Sequence, residues 1–219
     1  APSDKTWTMS KKAATITANA QTVNYGTAIS KTTNDVTTSG LVSGHSLTAI
    51  TLTQSTTNYT TSGTITPSAA TIKNGSTDVT SNYNITYATG TLTINKVAAT
   101  LSCSNKTYNG SEQTACSCSG GTVGGEYKAT NYRATAYTAS CTPDGNHTAP
   151  SDKTWTMSKK AATITAKAQT VNYGTAISKT TSDVTTSGLV SGHSLTAITL
   201  TQSTTDVTTN GTITPSAAT

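Results

Sequence analysis

Apolar and polar residues alternate at every second position in short stretches along the whole chain. The clearest are ATITA at 14–18, QTVNYG at 21–26, DVTTSG at 35–40, SLTAITLT at 46–53 and TTSGTITPS at 60–68. A period of two places successive side chains on opposite faces of a strand. Turn signals separate the stretches: LVSGH at 41–45 and the turn-rich KNGSTDVTSN at 73–82. ATITA and QTVNYG read as a strand pair. NYNITYATGTLTINK at 82–96 reads as a closing hairpin that pivots near Thr89–Gly90. Pro67 falls near a strand end, where a missing N–H does least harm. Seven or so short strands with regular turns predict an all-β sandwich.

The pattern repeats. Ala1–Thr71 aligns with Ala149–Thr219 without a gap and with five differences: Asn19 against Lys167, Asn34 against Ser182, Asn58 against Asp206, Tyr59 against Val207 and Ser62 against Asn210. Repetition at this level implies stacked units that touch chiefly their neighbours. Four segments follow. Residues 1–11 carry one strand, DKTWTMS, with Lys5, Trp7 and Met9 on one face; they read as the last strand of a domain lying upstream. Residues 12–96 form the first full unit, and 97–160 form a smaller, different unit. Residues 161–219 repeat the first unit without the counterparts of 72–96, as expected for a window on a longer array. The junctions INKVAAT (94–100) and MSKKAAT (157–163) hold no Gly/Ser-rich or Pro-rich linker, so little hinge freedom and an elongated rod are expected.

In the 97–160 unit, Asn109-Gly110 is a strong hairpin signal. A turn centred there sets Cys103 opposite Cys116 and leaves Cys118 for Cys141, whereas a turn shifted by one residue favours Cys103–Cys118. The spacing leaves three pairings open. Four cysteines within one small segment read as two disulfides and an oxidising, extracellular compartment. Zinc is a weaker reading, because Cys116 and Cys118 are spaced C-x-C and His147 stands in no finger spacing.

Composition sharpens this picture. Thr supplies 55 of 219 residues and Phe is absent. Thr is β-branched and suits a half-exposed pleated surface. The net charge is +5, but Lys and Arg are scattered, with pairs only at Lys11–Lys12 and Lys159–Lys160. A nucleic-acid surface needs clustered charge, and no apolar run approaches the ~20 residues of a membrane helix. Nucleic acid and membrane insertion are therefore not expected, and the expected partners are neighbouring repeats of the same chain and other copies in a fibre. No nucleophile, base and orienting group stand together, so no enzyme and no cofactor are expected. His45 and His193, the same position in two copies, and His147 read as polar turn residues. Asp35 and Asp183 read as turn residues before strands. Trp7 and Trp155 read as core anchors rather than stacking platforms. Sequons stand at Asn58, Asn74, Asn84, Asn105, Asn109 and Asn146.

ITANAQTVNYG (16–26), the SGLVSGHS loop (39–46) and the closing NYNITYATGTLTINK together resemble the MBG repeat of bacterial surface proteins, over 12–96 and 161–219. The loop carries His45 and His193 where that family is associated with an acidic residue, so no carboxylate role is implied there. Residues 97–160, with the TYNG turn and the late AYTASCT strand, resemble small bacterial immunoglobulin-like modules. The resemblance implies a tandem array of small Ig-like and MBG-like sandwiches in a secreted or surface-anchored bacterial protein, serving as a stalk or fibre segment. The alternatives are a filament subunit assembled by strand exchange, a module whose loops hold glycan or host protein, and a wall-active enzyme whose catalytic domain lies elsewhere. Lys–Asn isopeptide cross-links with an acidic helper are a further expectation for stalk domains of this kind.

Overall fold

The computed structural model describes residues 2–219. The chain is all-β, with short 3-10 turns at Thr33–Asp35, Thr80–Asn82 and Thr181–Asp183. It divides into two compact units. One comprises residues 2–100, Cys118–Thr122 and Cys141–Pro150; the other comprises Leu101–Ser117, Val123–Ser140 and Ser151–Thr219. Residues 97–160 thus contribute to both.

The first unit holds β1 (Lys12–Ala18), β2 (Gln21–Asn24), β3 (Val36–Ser39), β4 (His45–Gln54), β5 (Thr60–Asn74), β6 (Thr77–Asp78), β7 (Tyr83–Ala88), β8 (Gly90–Asn95) and β9 (Val97–Ala98). One sheet has the order β3-β1-β7; the other runs β2-β8-β5-β4, with β6 paired to β5. Alternation along β1 buries Ala14, Ile16 and Ala18. Ile16, Ala18 and Val36 of the first sheet form one core with Leu52, Ile65, Leu92 and Ile94 of the second. Ala14, Ile72 and Tyr83 form a smaller core.

Three sequence expectations are corrected here. The stretches at 14–18 and 21–26 do not pair with each other. β1 runs parallel to β7 and antiparallel to β3, while β2 runs parallel to β8. A period of two fixes which face is buried but leaves the partner open, and the parallel partners stand some 70 residues away. Residues 82–96 are likewise no hairpin, because β7 and β8 lie in different sheets and the chain crosses between them at Thr89. Gly90 makes that crossing sterically feasible. A Cβ there would meet the Ala18 carbonyl oxygen at 2.5 Å and that of Asn19 at 2.6 Å. Finally, Pro67 lies inside β5 and is fully buried. It pairs with Leu52 of β4, while the pairing of β5 with β8 has ended at Ile65. A ladder that stops before the proline spares it the N–H it lacks.

Residues 2–11 carry no strand, contrary to expectation; Ala1 lies outside the described residues. Trp7 is 76% exposed and Met9 is 81% exposed. Their twins Trp155 and Met157 are buried and paired, with Tyr137 opposite Trp155 and Lys106 opposite Met157.

In the second unit, Tyr137–Ala139 pairs antiparallel with Lys153–Trp155, with Tyr137 opposite Trp155. Asn109-Gly110 does not close a two-residue hairpin. Ahead of it Lys106–Thr107 runs parallel to Met157–Ser158, and beyond it Gln113–Thr114 pairs with Lys128–Ala129. The local turn survives, with Asn109 Oδ1 accepting the Ser111 N–H at 2.9 Å, but its flanks are drawn to separate partners.

The second copy of the repeat retains the first copy's local register residue for residue. Thr163–Ala166 pairs with Val184–Ser187 as Thr15–Ala18 pairs with Val36–Ser39. Thr199–Gln202 pairs with Ile213–Ser216 as Thr51–Gln54 pairs with Ile65–Ser68. Ile164 is only half-buried, whereas Ile16 is fully buried. The sequences match at these strands. In the first copy, β7 pairs with β1 and β8 supplies Leu92 and Ile94 to the core around Ile16.

Candidate functional site

The two disulfides are Cys103–Cys116 and Cys118–Cys141. Each bridge lies within one compact unit. Beside the first, Ser104 donates its N–H to the Ala115 carbonyl at 2.9 Å, so the two cysteines are brought together by backbone pairing as well as by the bridge. All four cysteines are paired. Two disulfides point to an oxidising compartment.

The buried tryptophan sits in a closed ring of contacts. The indole of Trp155 stacks on Tyr137, with ring centroids 4.4 Å apart and planes 17° apart. Its Nε1–H donates to the Glu126 carbonyl at 2.7 Å. On the other face of Tyr137 lies the Arg133 guanidinium, 3.8 Å from the ring centroid. Arg133 then forks onto both carboxylate oxygens of Glu126 at 2.5 and 2.6 Å. This pairing holds the Glu126 carboxyl below the usual carboxylate range. The pair is partly exposed, so its own contribution is small; the anchor is the buried stack. Trp155 therefore fills the core role expected of it and Trp7 does not. Nothing in the spacing of Glu126, Arg133 and Tyr137 marks them as partners, and the sequence reading missed them.

The repeat's own turn is built on one carboxylate. Asp35 Oδ2 accepts from Ser30 Oγ at 2.7 Å, from Thr32 N at 2.7 Å and from Thr32 Oγ1 at 2.6 Å. Asp183 repeats this with Ser178 and Thr180. Hydrogen bonds from the serine first, then the threonine, hold both carboxyls below their ordinary range. Both aspartates close a capping box on a 3-10 turn that leads into a strand, which is the turn role the sequence predicted. One pair of copy differences is compensatory. Asn19 donates to the Asn34 carbonyl, and Lys167 reaches the Ser182 carbonyl in the same place at 2.7 Å.

His45 and His147 open strands after turns and His193 follows the same turn without a strand, but all three are more engaged than polar surface residues. His45 Nδ1 and the Tyr83 hydroxyl share a 2.6 Å hydrogen bond, and the same hydroxyl accepts the Val42 N–H. Its twin His193 faces Tyr108 instead, at 3.4 Å, with Gly110 beside Val190. His147 Nδ1 lies 2.6 Å from Asp144 Oδ1, and its ring meets the edge of Tyr25 at 5.4 Å between centroids. The His147 contact, followed by the Asn146 N–H, lowers the Asp144 carboxyl.

His147 belongs to a contact surface where residues 144–148 meet the first copy of the repeat. Asn146 Oδ1 accepts the Tyr59 N–H at 2.8 Å, and Asn146 Nδ2 donates to Asn58 Oδ1 at 3.2 Å. Lys96 Nζ lies 4.7 Å above the Tyr59 ring. Alongside, the short strand His147–Thr148 runs parallel to β9. The chain thus passes from β8 through one residue, Lys96, into a strand already paired within the same compact unit. Two of the chain's sequons, Asn58 and Asn146, are spent on this surface.

Among the described residues no group of three or more His, Cys, Asp or Glu side chains is placed to hold a metal ion. No described charged side chain is buried, and an isopeptide-forming carboxylate needs burial to stay protonated beside its lysine. Among the described residues no helix is long and apolar enough to cross a membrane.

Fold and contacts together define an all-β, disulfide-bonded protein built from repeated strand units. Comparison of the chain with protein-family models, with curated proteins and with solved structures finds no match.

Proposed function

We propose that this chain is a segment of a tandem β-sandwich array, without enzymatic activity of its own, that serves as a stalk or fibre in a bacterial extracellular surface protein. The reading rests first on the junction at Lys96. A single residue separates β8 from β9, β9 is paired to His147–Thr148, and Asn146 is hydrogen-bonded to Asn58 and Tyr59. A stalk transmits reach and force through such junctions, and a linker-free, laterally bonded junction resists bending. Disulfides and a Thr-rich, weakly charged surface suit long exposure outside a cell. Tyr59, the exposed aromatic that a glycan- or host-binding reading would use, is committed to Lys96 and Asn146. Neighbouring repeats of the same chain are its partners.

The junction is tested by limited trypsin digestion with mass analysis of the fragments. Cleavage needs a locally unfolded segment. Lys96 is exposed, yet in the oxidised protein it is expected to be cut far more slowly than in the reduced, unfolded chain. Cutting at Lys96 as fast as in the unfolded chain would mean a flexible linker and would remove the support for a stiff stalk.

A further inference from the structure

Neighbouring strands of the first unit carry the same kind of triplet. It is Thr51-Leu52-Thr53 on β4, Thr64-Ile65-Thr66 on β5 and Thr91-Leu92-Thr93 on β8. These strands lie side by side in the order β8-β5-β4. The central residue of each triplet is buried in one core, Leu52 at 1% exposure and Ile65 and Leu92 at 0%. Alternation then turns the flanking threonines to the outer face of the sheet. Thr93 is half-buried and the other five are exposed. Thr91 stands opposite Thr64, and Thr66 opposite Thr53. β2 extends the face on the other side, with Thr22 opposite Thr93. Along β5 the register is unbroken from Gly63 to Ser68, so the shifts of this strand leave its triplet intact.

The chemistry of the face narrows what fits it. Neither the triplets nor β2 contain Lys, Arg, Asp, Glu or an aromatic residue. A charged partner finds no complementary charge there, and a sugar ring finds no aromatic platform. Each threonine offers one methyl and one hydroxyl on a side chain stiff at χ1, so little rotamer freedom is lost on binding. The spacing is set by the sheet. Threonines on neighbouring strands stand about 4.7–4.9 Å apart, and the two of one triplet about 6.4–6.8 Å apart. Water oxygens on a prism plane of ice repeat at closely similar distances in two perpendicular directions. A twist of roughly 20–25° per strand lifts the corners of a patch this small by about 1 Å, less than the radius of a methyl group.

We propose that this threonine face is an ice-binding surface, whose ligand is the prism plane of crystalline water. The methyl groups sit in the hollows of the lattice, and the hydroxyls complete its hydrogen bonds. Each contact is weak. A regular lattice lets all of them engage at once, and simultaneous engagement makes the sum strong. The burial of Leu52, Ile65 and Leu92 is what holds the grid to the sheet's own spacing. The second copy repeats the triplet on two paired strands, with Thr201 opposite Thr214. The site rests on the sheet of the first unit, does not depend on the stalk reading and stands or falls separately.

The test uses the oxidised 219-residue protein. Ice is grown slowly on a cold finger from a dilute solution of the protein mixed with serum albumin, and the content of the ice is compared with that of the liquid. The protein is expected to concentrate in the ice while albumin is excluded, and crystals grown in its presence are expected to be faceted. Thr66→Tyr puts bulk in the middle of the grid while keeping a good strand former. Its incorporation is expected to fall at least about fivefold, because contacts that cannot engage together lose their summed strength. Thr53→Tyr, on the edge strand β4, is a second variant expected to act in the same direction. Thr37→Tyr, exposed on the other sheet, is expected to change nothing, and circular dichroism checks that all three variants keep their strands. Three results overturn the proposal: exclusion of the protein together with albumin, full incorporation of both the Thr66→Tyr and Thr53→Tyr proteins, or an equal loss in Thr37→Tyr. Self-association that Thr66→Tyr abolishes, without enrichment in ice, also overturns it by giving the face to a second copy.

Discussion

Reducing both disulfides is expected to unfold residues 101–160 at room temperature while residues 12–95 keep their strands. The bridges close loops of 13 and 23 residues of separation, each contributing about 3 kcal/mol through the restricted unfolded chain. Small domains hold only about 5–15 kcal/mol in total. The buried apolar residues of the second unit's share of this region are Leu101, Ala115, Cys116, Tyr137, Ala139, Trp155 and Met157, of which three are Ala or Cys. A core this small depends on its cross-links. The first copy instead closes its core with Ile16, Leu52, Ile65, Leu92 and Ile94 and holds no cysteine. Hydrogen exchange followed by mass spectrometry, with and without a phosphine reductant, separates the two regions. Unchanged protection of 101–160 after reduction would show that the apolar core suffices.

The second large effect separates two tryptophans that stand in nearly identical sequence. Trp155→Ala is expected to cost about 3–5 kcal/mol, the range for truncating a buried large aromatic. It removes the stack on Tyr137 and leaves the Glu126 carbonyl without its indole donor. Trp7→Ala is expected to fall within about 0.5 kcal/mol, as for other surface changes. The chain has two tryptophans, so each variant also isolates the other's fluorescence. Emission from the Trp7→Ala protein should be blue-shifted, and that from the Trp155→Ala protein should resemble indole in water. Guanidinium titration of both variants measures the costs. Equal losses would mean that the residues around Trp7 are packed.

Which parts of this structure were legible in the sequence follows from what a local pattern can encode. The strands at 14–18, 35–40 and 46–53 were readable because alternation is local. The turn role of Asp35 and Asp183 was readable for the same reason, though not the capping box each closes. Partners were not readable. β1 and β2 find β7 and β8 at the far end of the unit, and no property of ATITA or QTVNYG points there. Gly90 looked like a hairpin pivot because glycine marks tight turns, while its actual work is to let the backbone pass the Ala18 carbonyl. Pro67 looked terminal because proline breaks ladders; the break lies only on the β8 side. DKTWTMS shows the limit most plainly. One copy is buried and paired at 153–158, the other is exposed and unpaired, and the difference lies in the surrounding chain. For the cysteines, the pairing adopted is the one that a turn centred on Asn109-Gly110 favours, and Thr100–Cys103 pairs with Cys116–Ser119 across that turn, although the residues next to it find other partners. The ring of Glu126, Arg133, Tyr137 and Trp155 lay beyond any sequence signal, because its members share no period.

The proposed stalk requires consecutive repeat units to be joined through stiff junctions. Small-angle X-ray scattering of the oxidised 219-residue protein tests it most directly. A single compact body of this length has a radius of gyration of about 17 Å, and its unfolded chain about 50 Å. A value well above the first and well below the second is predicted, together with a linear cross-section region at intermediate angles. A radius of gyration near 17 Å would mean that the units fold back on one another, and would contradict the stalk.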